Sequence, residues 1–203
     1  MKLIKTKDSS FTVYSDKYNE CYHSVSGALE ESLKKFLEPC MIRDSMKILD
    51  IGFGLGYNIG MAVHKFKNLK IISLEKDILN LDNIKVPEWF EETYYKIRKT
   101  AKDRYYKDDS EIKIILGDAV ETIKQINEKF DAVFLDPFSP KKNPEMWILD
   151  FFKEIKKRMN KNSVLATYSC AGIVRRNLRE TGFTVKNGPI VGRRAPGTIA
   201  VNS

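Results

Sequence analysis

A glycine-rich loop directly after a short apolar segment is the part of this sequence that points most clearly to chemistry. The segment Lys47 to Ile51 is followed by Gly52, Gly54 and Gly56 on alternate positions. Glycine lets a backbone turn sharply and approach a ligand where a Cβ would clash. A second apolar segment ends at Glu75, and a carboxylate at about this spacing can accept hydrogen bonds from ribose hydroxyls. Together these residues predict a site for a nucleoside-containing cofactor.

The order of residues in the loop favours one cofactor class. A dinucleotide pyrophosphate is held by G-x-G-x-x-G at a helix N-terminus, whereas Asp50 to Gly56 reads D-x-G-x-G-x-G. That order is typical of proteins that bind S-adenosyl-L-methionine (SAM). SAM carries a sulfonium cation and no phosphate, so we expect Asp50 to lie near the amino-acid part of the cofactor. Asn58, two residues beyond the loop, is also predicted to bind the cofactor.

Acidic residues also follow the third and fourth predicted strands. Ligands of open α/β sheets bind outside the carboxyl ends of the strands, so Asp118 and Asp136 are expected near Glu75. We predict that Asp118 contacts the adenine amino group. The alternative for Asp118 is an ordinary helix N-cap, a position that Asp favours.

Asp136 is the predicted reaction centre. Methyl transfer from a sulfonium needs a nucleophile held about 3 Å from the methyl group with a free lone pair. A carboxylate can orient an amine and accept its proton, and Phe138 could support a flat base. The alternative is that Asp136 and Pro137 form only a turn, as such dipeptides often do.

The elements that must position these residues alternate along the chain. Short β-rich segments alternate with helical patterns after Pro39, which predicts an α/β, Rossmann-like fold with a mostly parallel seven-stranded sheet and a terminal antiparallel hairpin. The predicted strands are 47–51, 70–74, 112–116, 132–135, 163–167, 183–185 and 198–201. A helical stripe also includes Ile148 to Met159. We expect residues 1–203 to form one domain, with residues 1–44 as a helical extension over the cofactor cleft.

Composition limits the partners and the compartment. The net charge of +8 favours a polyanion such as nucleic acid. Three separated cysteines, Cys21, Cys40 and Cys170, indicate neither a disulfide framework nor a metal site. The first residues contain no apolar signal-peptide core, and no apolar run is long enough to span a membrane. The expected location is the cytoplasm, with no membrane partner.

Several basic residues follow strand ends on the expected active side. Lys141, Lys142, Arg175 and Arg176 are predicted to form an electropositive rim for phosphates, together with the pair Arg193 and Arg194. The alternative is that they lie on solvated helix faces. Packing of the helix on the sheet is expected to direct one of these two adjacent arginines, Arg176, into an intramolecular ion pair.

The sequence resembles a known family, the methyltransferase half of the bifunctional tRNA-modifying enzyme MnmC and its stand-alone relatives. The resemblance extends over nearly the whole chain, and its most specific parts are the run Asn143 to Trp147 and the run Ala171 to Arg176. It implies SAM-dependent methylation of the 5-aminomethyl group on the wobble uridine of tRNA. It also implies that Tyr22, Ser24, Gly27 and Glu75 join the cofactor site and that Asp136 faces the amine.

The sequence departs from the family pattern at two places. Pro137 stands where many members carry glycine, which makes the loop resemble that of adenine amino methyltransferases, and residues 192–197 differ from the usual lysine-arginine-glutamate run. The flavin oxidase half is absent, so we expect no flavin and a separate enzyme that supplies the aminomethyl substrate.

Three other functions remain open at this stage. One is a different nucleic-acid amino methyltransferase, and another is a polyamine aminopropyltransferase, which would need an acidic pocket and is disfavoured by a basic cleft mouth. A non-enzymatic RNA-binding module is the third.

Overall fold

The N-terminal segment forms a small antiparallel sheet ahead of the predicted helix. The computed structural model describes residues 2–192 and 195–203. This small sheet comprises β1 (Lys2–Lys5), β2 (Phe11–Ser15) and β3 (Glu20–Cys21). The helix α1 (Ala28–Ser32) continues as a π-helical turn, Leu33–Leu37, and ends before Pro39 as predicted. The extension is therefore part strand and part helix.

Within residues 2–192 and 195–203, the main sheet has eight strands in the order β10-β11-β9-β8-β4-β5-β7-β6. Its strands are β4 (Lys47–Ile51), β5 (Lys70–Glu75), β6 (Tyr105–Lys107), β7 (Glu111–Leu116), β8 (Phe130–Leu135), β9 (Met159–Thr167), β10 (Thr184–Asn187) and β11 (Thr198–Val201). The helices are α2 (Tyr57–Lys65), α3 (Glu88–Asp103), α4 (Ala119–Thr122), α5 (Leu149–Lys157) and α6 (Gly172–Glu180), with short 3-10 turns at Ile123–Gln125 and Pro144–Trp147.

This architecture confirms the predicted α/β fold and terminal hairpin. The prediction of seven strands did not include β6, which pairs antiparallel with β7. The predicted helix over Ile148 to Met159 extends too far at its carboxyl end, because Met159 begins β9. An apolar, buried side chain at this position fits the end of a helix as well as the start of a strand, so periodicity did not distinguish helix from strand here.

Both faces of the central strands are buried. Ile48 and Phe134 pack in one apolar cluster with α2 and α3, while Leu49 and Val133 pack in a second cluster with α5 and α6. Parallel strands covered by helices on both sides read as continuous apolar runs for this reason. No helix in the described part of the chain is long and apolar enough to cross a membrane.

The strand order creates a crevice between β4 and β8. The chain leaves β4 toward β5 and β7 on one side and later returns to β8 and β9 on the other. The loops that follow β4 and β8 therefore diverge at neighbouring strand ends, which is where ligands of such sheets bind. The backbone N–H of Asp136 donates to the Ile51 carbonyl at 2.9 Å and holds the two loops together.

Candidate active site

A cleft of about 1000 Å³, partly open to solvent, lies at these strand ends. Eight of the predicted site residues line it: Tyr22, Ser24, Gly52, Gly54, Glu75, Asp118, Asp136 and Phe138. They come from the N-terminal segment and from the ends of four strands.

Two glycines of the loop bring the backbone close to its neighbours. Gly52 has φ +97°, and a Cβ there would lie 2.9 Å from the backbone oxygen of Asp136. Gly54 has φ +53°, and its Cβ would lie 3.1 Å from the Tyr22 ring. Side chains at either position would be strained and would fill the space between the loop and the opposite wall.

Glu75 ends β5 beside the glycine loop. Its carboxylate accepts hydrogen bonds from the backbone N–H groups of Gly54 at 2.9 Å, Lys76 at 2.7 Å and Asp77 at 3.1 Å. Burial raises the pKa of Glu75, and these backbone donors oppose the shift. The loop and the acid are thus one hydrogen-bonded unit.

Asp118 has the local role that the alternative interpretation describes. Its side chain caps α4 by accepting from the Val120 N–H at 3.1 Å, and its other oxygen pairs with Lys76 at 3.0 Å. The hydrogen bond from Lys76 lowers the pKa of Asp118. Asp118 lines the cleft, but both of its oxygens already have partners.

Asp136 follows β8 and is half-buried on the cleft wall. Asn58 Nδ2 donates to its Oδ2 at 2.8 Å. No described side chain or backbone N–H bonds to Oδ1, which is therefore available to a ligand. Burial raises the pKa of Asp136 well above its ordinary range, and the charge of Glu31 adds to the shift.

The loop after Asp136 is held from several sides. Tyr168 Oη donates to the Pro137 carbonyl at 3.0 Å, and Trp147 Nε1 donates to the Phe138 carbonyl at 3.0 Å. Glu20 accepts from both the backbone N–H and the hydroxyl of Ser139. These contacts go beyond what a simple turn needs, and they fix the loop at the cleft edge.

One face of Phe138 is already covered. The Tyr18 ring stacks on it with centroids 4.1 Å apart and an interplanar angle of 19°, and Tyr22 packs edge-on. A flat base could therefore use only the remaining surface of Phe138 or the outer face of Tyr18.

Asp50 does not lie where the sequence suggested. It is 1% exposed and is absent from the cleft lining, and its Oδ2 accepts from Ser73 Oγ at 2.5 Å. Ser73 is its direct partner in the parallel ladder of β4 and β5. Burial raises the pKa of Asp50 to about 8. The side chain is thus buried against β5 and is not exposed in the cleft.

Three other predicted cofactor residues also lie outside the cleft lining. Gly27 lies beside Asp8, which accepts from the first-turn N–H of Glu30. Gly56 precedes α2 and packs against Ile97. Asn58 is 4% exposed and acts through its bond to Asp136.

The predicted basic rim is divided among different environments. Lys141 and Lys142 are exposed just beyond the Asp136 loop, and Arg176 is exposed on α6. Arg175 instead bonds Thr198, Asn187 and the Gly197 carbonyl at 2.8 to 3.0 Å. The arginine with intramolecular partners is thus Arg175 and not Arg176, and these partners are neutral groups and not the acid that was predicted. Arg193 and Arg194 lie outside the described residues.

Sequence reasoning did not single out most of the acids in the cleft. In the described chain the lining carries the carboxylates Glu20, Glu31, Glu75, Asp77, Asp118, Asp136 and Glu145, with Lys76 as its one lysine. The basic mouth that disfavoured aminopropyl transfer is therefore not found in this lining. Glu31 and Glu145 stand within runs that resemble the family, but no local pattern distinguished them from surface acids.

The chain's residues fit a SAM molecule. A carboxylate at the end of β5 suits ribose hydroxyls, and the space beside Gly54 that a Cβ would fill is open to the ligand. The aromatic rings of Tyr18, Tyr22 and Phe138 and the acids of the lining suit an adenosine and a cationic sulfonium. Tyr22 in particular lies directly against the glycine loop.

Comparisons with known proteins identify the family of the chain. A family model described as "S-adenosyl-L-methionine-dependent methyltransferase" matches residues 84–203. The crystal structure of MnmC2 from Aquifex aeolicus superposes with a TM-score of 0.88 at 37% identity, covering 98% of this chain and 69% of that one.

Two curated relatives are longer than this chain. An uncharacterized protein of Methanocaldococcus jannaschii is 35% identical over 98% of this chain and 58% of its own length. The tRNA 5-methylaminomethyl-2-thiouridine biosynthesis bifunctional protein MnmC of Pseudomonas entomophila is 29% identical over 89% of this chain. The chain spans about a third of that bifunctional protein, 32% of its length.

Proposed function

Because the chain belongs to the family of S-adenosyl-L-methionine-dependent methyltransferases, we propose that it methylates the 5-aminomethyl group of the wobble uridine in tRNA. The product is 5-methylaminomethyluridine. The observation that carries the proposal is Asp136, which lies on the cleft wall with one oxygen bonded by Asn58 and the other available to an amine. The names of the similar proteins MnmC and MnmC2 support the choice of tRNA.

The cofactor is held between the glycine loop and the N-terminal segment in this proposal. Glu75 binds the ribose, while Gly52 and Gly54 leave room for the backbone to approach. Tyr22 and Ser24 close the cleft from residues 1–44, so that residues 1–203 act as one catalytic unit. SAM supplies a methyl group on a sulfonium sulfur.

Asp136 orients the amine and takes its proton. Its available Oδ1 accepts a hydrogen bond from the amine nitrogen, and Asn58 keeps the carboxylate aimed into the cleft. The raised pKa of Asp136 makes it a stronger base than an exposed aspartate, which suits removal of a proton from an amine.

The proposal covers only the methylation step. The bifunctional relative is about three times longer than this chain, and a separate enzyme supplies the aminomethyluridine in the proposed sequence of reactions. Lys141, Lys142 and Arg176 are the exposed basic residues proposed to contact the tRNA phosphates.

Nucleoside mass spectrometry tests the proposal directly. Incubation of the protein with SAM and tRNA that carries 5-aminomethyluridine should add one methyl group to that nucleoside. The variant Asp136→Asn should bind SAM as the wild type does and turn over about a hundredfold more slowly. Methylation of adenosine, with the wobble uridine unchanged, would contradict the proposed acceptor and would show that the acceptor is a nucleobase amine.

Aminopropyl transfer is a second candidate because of the acidic lining. A polyamine acceptor is cationic, and seven carboxylates line the cleft in the described chain. Incubation with decarboxylated SAM and putrescine tests this candidate. We expect no spermidine; its formation at a rate above that of tRNA methylation would favour the second candidate.

A further inference from the structure

A buried ion pair lies beside the cleft and is not explained by the proposed roles. Lys35 Nζ contacts Glu31 Oε1 at 2.6 Å, and their side chains are 1% and 6% exposed. The other oxygen of Glu31 accepts from the Ser24 N–H at 2.9 Å. Both carboxylate oxygens therefore have fixed donors. Burial raises the pKa of Glu31, but Lys35 and the other partners outweigh burial, so that the pKa is lowered. Glu31 is ionised in the folded protein.

The same helix carries an exposed pair of the same spacing. Lys34 contacts Glu30 at 2.5 Å, with side chains 45% and 42% exposed. A buried pair pays a desolvation cost that apolar residues of similar size would avoid, whereas an exposed pair does not. Stability alone is thus a poor explanation for placing Glu31 and Lys35 inside.

Glu31 lines the same cleft as Asp136. The groups that shift the pKa of Asp136 by charge are Glu31 and Lys35 from the helix and Asp50 from β4, and Asn58 from α2 shifts it by its hydrogen bond. His23 lies near Glu31 and is buried and neutral at physiological pH, since burial lowers its pKa. Burial is the largest cause of the raised pKa of Asp136, and the charge of Glu31 is the second largest. The positive charge of Lys35 lowers this pKa by a smaller amount.

We propose that Glu31 is a positioning residue that acts through Asp136, and that its fixed negative charge keeps Asp136 a strong proton acceptor for an alkyl ammonium group. Lys35 holds Glu31 in place and keeps it ionised. This role rests on the proposed function, since an aminomethyl group is protonated near neutral pH, whereas a conjugated nucleobase amine is not.

The proton balance follows from the two acids. The ammonium group gives one proton to ionised Asp136 and becomes a neutral amine with a free lone pair. The nitrogen then forms the N–C bond while the C–S bond of the sulfonium breaks and its electron pair stays on sulfur. The product leaves as a secondary ammonium, and Asp136 returns its proton to solvent. Glu31 keeps its charge throughout.

The test measures the titration of Asp136 itself. Protein labelled with carbon-13 at the aspartate carboxyl groups is titrated by NMR, and Asp136→Asn assigns the signal. In Glu31→Gln the midpoint should fall by about one pH unit, because a nearby like charge has been removed. Glu30→Gln is the matched control and should leave the midpoint unchanged.

Activity gives the second measurement. The acid limb of kcat/KM against pH should move to lower pH in Glu31→Gln by a similar amount, with kcat about tenfold lower because the base is weaker. A residue that only supports the fold would lower the rate without moving the limb. If Glu31→Gln does not fold, the double variant Glu31→Gln, Lys35→Met removes both buried charges and is titrated instead.

An unchanged Asp136 midpoint in the folded variant would overturn the role of Glu31. Wild-type protein that methylates no uridine would instead overturn the proposed function. The midpoint shift would still decide whether Glu31 sets the proton affinity of Asp136, so the two failures remain distinguishable.

Discussion

Asn58 donates a hydrogen bond to Asp136 at 2.8 Å and joins the start of α2 to the loop after β8. Asn58 is buried, and its own Oδ1 has no partner among the described residues. A buried amide oxygen without a hydrogen-bond partner lowers the stability of the fold. Stability therefore does not explain this side chain, and its bond to Asp136 is what it contributes. Asn58 thus orients a carboxylate that is 78 residues away.

Replacing Asn58 by Leu should slow the reaction without abolishing cofactor binding. The change removes the donor that aims Asp136 and keeps a similar volume, so kcat should fall about tenfold or more because the base is misaligned. Steady-state kinetics and calorimetric SAM titration check this. A variant with wild-type kcat would show that the loop alone positions Asp136.

Replacing Glu75 by Ala should weaken SAM binding. Loss of a hydrogen bond to a charged group costs about 1.5 to 3 kcal/mol, or roughly ten- to a hundredfold in affinity. Calorimetry measures the dissociation constant. Glu121→Ala, at an exposed acid on α4 outside the cleft, is the control and should bind SAM normally. Equal affinity in both variants would remove Glu75 from the cofactor site.

Neutralising Lys141 and Lys142 together should reduce the salt dependence of tRNA binding. Each lost phosphate contact lowers the slope of log affinity against log salt by somewhat less than one unit. The control is the double variant Lys129→Ala, Lys161→Ala, which removes two exposed lysines near the amino ends of β8 and β9, at the opposite edge of the sheet. It should leave the slope unchanged. An equal slope in wild type and the Lys141, Lys142 variant would show that these lysines face only solvent.

Arg175→Ala should lower stability more than it lowers tRNA affinity. Its guanidinium bonds Thr198, Asn187 and Gly197 and ties α6 to the terminal hairpin. Loss of these bonds should cost about 2 kcal/mol. Thermal melting measures the change, and Arg176→Ala, at the exposed neighbour, should melt near the wild-type temperature. The reverse order of the two melting temperatures would contradict this assignment.

Asp50→Asn should change how stability depends on pH. The folded pKa of Asp50 is about 8 against an ordinary value of 3.8. The folded state therefore binds a proton that the unfolded state releases, and stability falls as pH rises from about 4 to about 8. Asn carries no such proton, so the melting temperature of the variant relative to wild type should rise over that range. A constant difference would show that Asp50 titrates normally.

Local residue patterns were enough to predict most of the fold. Alternating apolar segments and a helical stripe predicted the central strands and α5, because their periods depend only on neighbouring residues. The short strand β6 was not predicted, since three residues at a sheet edge carry little pattern and owe their strand conformation to pairing with β7.

For the site, the sequence by itself determined the glycine loop, Glu75 and Asp136, because strand ends and glycine spacing are local properties. Only the tertiary structure decided that Asp50 is buried against β5 and that Arg175, not Arg176, turns inward. The clearest case is Glu30 and Glu31, adjacent acids that each face a lysine four residues on. Helical geometry places one pair in solvent and the other beside Asp136, and packing against the sheet, which no local pattern records, selects which pair is buried.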